Sequence, residues 1–231
     1  MAISLILLDA DDTLWHNMRH FNAAEAAFAD MLAPFAEAGI AQATLAEVEA
    51  RNLGHYGYGA KSFTLSMIEA AIALGGDALP IDNIRRILAA GRTLLGHPVE
   101  LFDGVEDTIA QLAERGDLVL VTKGDLLHQE AKLAASGLGR HFAGVEIVSD
   151  KTVATFTGLF ARHGVAPEQA IMAGDSLRSD VVPALAAGAW AAFVPQPLAW
   201  AHEHAAEPVG EPRYRRLATL AELPALIDAI G

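Results

Sequence analysis

The sequence predicts an α/β protein built on a doubly wound parallel sheet, with a helical bundle inserted after the first strand. Two patterns and one interruption predict it. Short, nearly unbroken apolar runs recur at residues 3–8, 118–121, 145–148, 171–173 and 190–194, the pattern of strands covered on both faces. Between the later runs stand stretches of helical periodicity at 105–115, 126–136, 152–163 and 178–187, so strands and helices alternate as βαβ units. The alternation fails between residues 17 and 97, where the pattern is almost wholly helical.

Taken in order, the first run ends at Asp9. It lacks a basic leader and a cleavage signal and is far too short to span a bilayer, so a buried strand is expected there, with no export signal and no membrane partner. Residues 17–97 read as four helices, with stops at Gly39, around residues 54–59 and at Gly75 and Gly76. Thr44, followed by Glu47 three residues later, reads as a capping box. Two crossings, near residues 15–17 and 96–103, would join this bundle to the sheet, giving a core of 1–16 and 98–231 and a helical domain of 17–97. The later helices are closed by Gly116, Gly137, Gly164 and Gly188, glycine being the residue that accepts positive φ. Residues 195–212 read as a long loop before a last short strand and helix.

Composition narrows the function. Of 231 residues 52% are apolar, enough for a sizeable core. With no cysteine there is no disulfide and no thiolate metal site or nucleophile, which suits a cytoplasmic protein. The formal charge of −13, with no basic cluster, argues against nucleic acid as a partner. Such a field does not steer an anionic substrate, which would need a metal and a few placed cations.

In an open parallel sheet, ligands bind beyond the carboxyl ends of the strands. The residues just beyond each strand are therefore the candidates. They are Asp9, Asp11, Asp12 and Thr13 after the first strand, then Thr122 and Lys123 after the second. Lys151 comes after the third, and Gly174, Asp175 and Asp180 after the fourth. Clustered carboxylates repel one another and call for a hard cation, which takes oxygen ligands. Hydroxyl and ammonium groups suit the equatorial oxygens of a phosphoryl group.

The D-x-D-x-T of Asp9, Asp11 and Thr13, the strand-end Thr122, Lys151, and the G-D-x-x-x-x-D from Gly174 to Asp180 together resemble the four motifs of the haloacid-dehalogenase-like hydrolase superfamily. The helical insertion is similar to that superfamily's first-position cap. The resemblance implies a small phosphorylated metabolite as substrate and Mg²⁺ as cofactor. Asp9 would be the nucleophile, forming an aspartyl-phosphate. Asp11 would protonate the leaving oxygen and then deprotonate water. Thr122 and Lys151 would hold the phosphoryl oxygens. Asp9, the Asp11 carbonyl and Asp175 would bind the metal, with Asp180 either joining them or pairing with Lys151. Asp11 favours a phosphatase over a dehalogenase, whose halide leaving group needs no proton; a phosphomutase or a haloacid dehalogenase is the alternative on the same scaffold.

Further expectations attach to single residues. Asp11 is expected to have a raised pKa, from neighbouring carboxylates and cap closure. Lys123 is either a substrate ligand or a solvated charge at a helix start. Asp12, Asp103 and Asp125 read as turn or cap residues. Tyr56, Tyr58 and Lys61, at the glycine-rich break of the insertion, are candidate substrate contacts, as are Trp15, His16 and Asn17. His202 and His204, two apart in an irregular loop, read as surface histidines.

Overall fold

The computed structural model describes residues 2–231. In chain order its elements are β1 (Leu5–Leu8), α1 (Met18–Leu32), α2 (Ala38–Tyr56), α3 (Ala60–Gly75), α4 (Ile81–Leu95), α5 (Val105–Ala113), β2 (Asp117–Lys123), α6 (Leu126–Ser136), β3 (Gly144–Val148), α7 (Val153–His163), β4 (Ala170–Gly174), α8 (Val182–Ala186), β5 (Trp190–Phe193), β6 (Tyr214–Arg216) and α9 (Leu223–Ile230). The six strands form one sheet in the order β3-β2-β1-β4-β5-β6, and every neighbouring pair is parallel. β1 is central, and the strand order reverses beside it, between β1 and β4, the place where such sheets build a ligand crevice.

The dense apolar strands are explained by two cores, one on each face. Ile6 and Leu8 of β1 pack with Ile109, Leu112, Leu223 and Ile227, from α5 and α9. Leu5 and Leu7 point the other way, to Phe156, Leu159 and Phe160 of α7 and Ala184 of α8. The period of two sends successive side chains to opposite faces, so a strand covered on both faces must be apolar throughout.

The described residues divide into two compact units, one of residues 2–18, 99–123 and 129–231, the other of 19–98 and 124–128. Within the helical unit α1 to α4 enclose Phe28, Leu32, Leu45, Phe63, Met67 and Ile87. Residues 124–128 come directly after β2 in sequence but group with this unit, where Asp125 accepts the Lys61 N–H at 3.2 Å and pairs with its ammonium at 3.3 Å.

Several local expectations are corrected. Thr44 and Glu47 lie inside α2, which starts at Ala38, so they form no capping box there, and Gly39 sits in the first turn instead of ending a helix. The burial of Ala41, Leu45 and Val48 along one face carries the helix through the polar signal. α2 also runs on through Gly54, narrowing the break to Gly57–Gly59. Gly116 closes no helix by a positive φ: a Cβ there would stand 2.8 Å from the Ser4 carbonyl oxygen, so glycine is required by a backbone approach. The stretch at 178–187 is a π-helical turn, Leu177–Val181, running into α8. No helix among the described residues is long and apolar enough to cross a membrane.

Candidate active site at the carboxyl edge of the sheet

Asp9 stands directly after the last residue of β1, its N–H donating to the Ala173 carbonyl of β4 at 3.0 Å. This bond fixes the start of the turn against the neighbouring strand. Thr13 then folds back: its hydroxyl donates to Asp9 Oδ2 at 3.0 Å and accepts the Asp175 N–H at 3.1 Å. One threonine thus couples the turns after β1 and β4. Between them Asp12 takes a positive φ of 59°, a conformation that aspartate tolerates better than most side chains. Its carboxylate accepts the N–H groups of Asn17 and Met18, the latter the first residue of α1. Burial raises the Asp12 pKa to about 6, against the pull of those two N–H groups.

Lys151 enters from the β3–α7 connection. Thr152 and Thr155 form a reciprocal capping box at the start of α7, anchoring the residue before it. The buried Lys151 ammonium lies 2.5 Å from Asp9 Oδ1 and 2.6 Å from Asp180 Oδ1. Burial pulls its pKa down, but the two carboxylates outweigh burial and raise it. Asp180 is fully buried on the π-helical turn, and its other oxygen accepts the Ser176 N–H at 3.0 Å. Gly174 makes this possible, since a Cβ there would lie 2.1 Å from Asp180 Oδ2 and 2.9 Å from Asp9 Cβ. Of the two roles expected for Asp180, the pairing with Lys151 is present, and the same carboxylate also stands in the acidic cluster.

Carboxylate oxygens of Asp9, Asp175 and Asp180 lie within 4.8 Å of one another. Burial and the neighbouring acids raise Asp9 to about 7 and Asp175 well above the usual carboxylate range. With all three carboxylates ionised, the single ammonium of Lys151 leaves negative charge uncompensated, and every ligand offered is a hard oxygen. The residues present therefore fit a divalent cation such as Mg²⁺.

Asp11 departs from expectation. Lys132 of α6 reaches its Oδ1 and Oδ2 at 2.5 and 2.7 Å, the Trp15 indole N–H donates to Oδ1 at 2.7 Å, and the Gln129 amide donates to Oδ2 at 3.1 Å. Burial pushes the Asp11 carboxyl up, but Lys132 and these donors outweigh it, so its pKa is lowered, not raised. Trp15 is fully buried and serves as this donor. Gln129 also donates to Thr122 Oγ1 at 2.6 Å, linking the end of β2 to Asp11.

Lys123 is not a solvated helix-start charge: its ammonium lies 2.6 Å from Glu203 and 2.7 Å from Ser179 Oγ. Tyr58 and Lys61 belong to the helical unit, where Lys61 is bound to Asp125 and Tyr56 donates to Glu69 at 3.3 Å. The sequence reasoning missed Gln129, Lys132 and Glu203. Gln129 and Lys132 stand three apart on one helix, a spacing that puts two polar side chains on one face; that was the signal available.

A family model described as haloacid dehalogenase-like hydrolase matches residues 3–188. No curated protein matches. A haloacid dehalogenase-like family hydrolase from Xanthomonas campestris is 38% identical at a TM-score of 0.89, over 99% of this chain and 96% of the other. The HAD-hydrolase YfnB of Bacillus subtilis, described as bound to magnesium, is 21% identical at 0.66, over 99% and 100%. The L-2-haloacid dehalogenase of Xanthobacter autotrophicus, with chloropropionic acid covalently bound, is 16% identical at 0.67, also over 99% and 100%.

Proposed function

Because the chain belongs to the haloacid dehalogenase-like hydrolases and is thus an enzyme, we propose that it is a Mg²⁺-dependent phosphomonoesterase acting on a small phosphorylated metabolite. One observation carries the reading: the nucleophile candidate Asp9 shares a three-carboxylate cluster with Asp175 and Asp180, fit for a hard cation, beside the ammonium of Lys151. A halide displacement does not call for such a cation.

In this reading an Asp9 oxygen attacks phosphorus, forming the aspartyl-phosphate as the bond from phosphorus to the alkoxy oxygen breaks. Asp11, when protonated, gives its proton to that departing oxygen. Ionised, as Lys132 holds it here, it is the base that takes a proton from water. The water oxygen then bonds to phosphorus, and the bond to Asp9 breaks, restoring the carboxylate and releasing inorganic phosphate. Lys151 and the Thr122 hydroxyl bind the phosphoryl oxygens, and Thr13 orients Asp9. The cation, held by Asp9, the Asp11 carbonyl, Asp175 and Asp180, would neutralise charge on the transferring group. The helical unit is assigned as the cap, with Tyr58 and Lys61 as its substrate-selecting residues.

A second reading is a 2-haloacid dehalogenase. The grip of Lys132, Trp15 and Gln129 on Asp11 favours it, because a carboxylate so engaged is not offering a proton. The two readings separate in one assay series. Phosphate release from a generic aryl phosphate should require Mg²⁺, stop reversibly on chelation, and vanish in Asp9→Asn, whose amide keeps the shape but cannot attack. Chloride release from 2-chloropropionate without added metal, with no phosphate release from any ester in a metabolite panel, would replace the phosphatase reading by the dehalogenase one.

A further inference from the structure

We propose that Glu203, on the connection between β5 and β6, is a positioning residue for the cation site. Through the hydroxyls of Ser176 and Ser179 it holds the turn that carries Asp175 and Asp180. The proposal rests on the reading of that carboxylate cluster as a Mg²⁺ site.

The turn after β4 is an unusual support. Asp175 and Ser176 lead into the π-helical turn Leu177–Val181, which carries Asp180. Such turns are rare and often mark functional sites. Here Ser176 Oγ accepts the Ser179 N–H at 2.9 Å, capping the turn, while its own proton goes to Glu203 Oε2 at 2.5 Å. Ser179 Oγ donates to the same oxygen at 2.5 Å. The Lys123 ammonium binds Oε1 at 2.6 Å and Ser179 Oγ at 2.7 Å. The Ser176 hydroxyl hydrogen is therefore committed to Glu203, leaving its lone pairs for the cap.

The same Ser176 contributes its backbone N–H to Asp180 Oδ2, which leaves Oδ1 to Lys151. Its chain neighbour is Asp175, whose N–H is fixed by Thr13. Movement at Ser176 is thus passed directly to both acids. Glu203 lies outside the carboxylate cluster, so what it supplies is orientation. Residues that orient metal ligands from behind are typically worth about 10–100-fold in metal affinity.

A loop residue has little reason to carry a carboxylate inward unless it is held there. The Glu203 side chain is 17% exposed, and an unpaired buried carboxylate is costly. Burial pushes its pKa up, but Lys123 and the two hydroxyls outweigh burial and hold it below the usual range, as a carboxylate. The loop has a separate attachment, Arg178 donating to the His202 carbonyl at 3.0 Å. That attachment provides the control.

The test measures Mg²⁺ dissociation constants by calorimetry and thermal midpoints on the full chain, for Glu203→Gln, Ser176→Ala and Arg178→Ala. Glu203→Gln and Ser176→Ala should each weaken Mg²⁺ binding about ten-fold, and the double variant should lose less than the product of the two, because Ser176 carries one of the two contacts through which Glu203 acts. Arg178→Ala should lower the midpoint while leaving the Mg²⁺ constant within about two-fold. If Glu203→Gln folds poorly, Ser176→Ala carries the test by itself. A wild-type Mg²⁺ constant in Ser176→Ala overturns the proposal, and so does a Glu203→Gln that is only less stable, since Glu203 would then anchor the loop and nothing more. Absence of Mg²⁺ binding by the wild-type chain overturns the magnesium reading itself, and the proposal with it.

Discussion

At the scale of single residues, the site is organised by side chains that do no chemistry in the proposed reaction. Lys132 is the clearest. Its side chain is 4% exposed and pairs with both oxygens of Asp11. Removing one partner of such a pair leaves an uncompensated charge. Lys132→Met should therefore destabilise the fold at neutral pH by about 2–4 kcal/mol, less than a fully buried pair because Asp11 retains some exposure. Adding Asp11→Asn should recover most of the loss, as read by urea denaturation. Gly174→Ala tests the opposite kind of constraint: its Cβ would meet Asp180 Oδ2. The expected result is about 10–100-fold weaker Mg²⁺ binding with the sheet intact, measured by calorimetry and circular dichroism. Asp9, Asp11, Thr122, Lys151, Asp175 and Asp180 could be found in the sequence because apolar runs reveal where strands end, and residues just beyond parallel strand ends share one edge. Glu203 could not, and Lys132 offered only its spacing of three from Gln129 on α6. A lysine in an amphipathic helix and a glutamate in a loop are ordinary solvated residues until tertiary packing turns them inward.

At the scale of elements, the same division holds. The inner strands were legible because burial on both faces leaves an unbroken apolar run, whereas the edge strand β3 is only half-buried and its apolar run is broken by Glu146. Helix starts were legible in the sheet unit, where α5, α6 and α7 begin at Val105, Leu126 and Val153, but not within the insertion. The Thr44 and Glu47 pair carries a start signal, yet it lies within α2, because burying Ala41, Leu45 and Val48 outweighs a local cap. The π-helical turn after β4 has no sequence signature at all; it carries Asp180, which pairs with Lys151. The helical unit holds a tension of its own. Glu49 of α2 is raised to about 7 by burial and by Glu25 of α1. A carboxyl whose pKa rises on folding contributes stability below its unfolded value near 4.5, and that contribution is lost as pH rises through about 7. Glu49→Gln should accordingly raise stability at pH 8 by about 1–2 kcal/mol, discounted for partial exposure, and have little effect near pH 4. Thermal melts at the two pH values check it. A gain at pH 4 equal to that at pH 8 would place the cause in packing and not in charge.

At the scale of the whole molecule, the charge balance and the proposed chemistry pull against each other. The chain carries a formal −13, while a phosphate monoester near neutral pH is largely a dianion. Two fields act on that substrate. The local one, from Lys151 and the proposed cation, is buried and therefore little screened by salt; the global one, from surface carboxylates, is repulsive and acts through solvent. Raising ionic strength shortens the screening length to about 10 Å at 0.1 M, which removes most of the long-range repulsion and leaves short-range attraction inside the site. The expected outcome runs opposite to that of an enzyme with a basic funnel: kcat/KM for a dianionic ester should rise about two- to five-fold between low salt and about 0.2 M inert salt, at saturating Mg²⁺. The rise should come through KM, with kcat nearly constant, because screening alters encounter and binding but not the buried groups that react. A neutral substrate analogue should show no such trend in its inhibition constant. A steady fall of kcat/KM with salt would mean that the substrate is drawn in by exposed cations near the entrance, and that the surface, not only the strand-end residues, takes part in recognition.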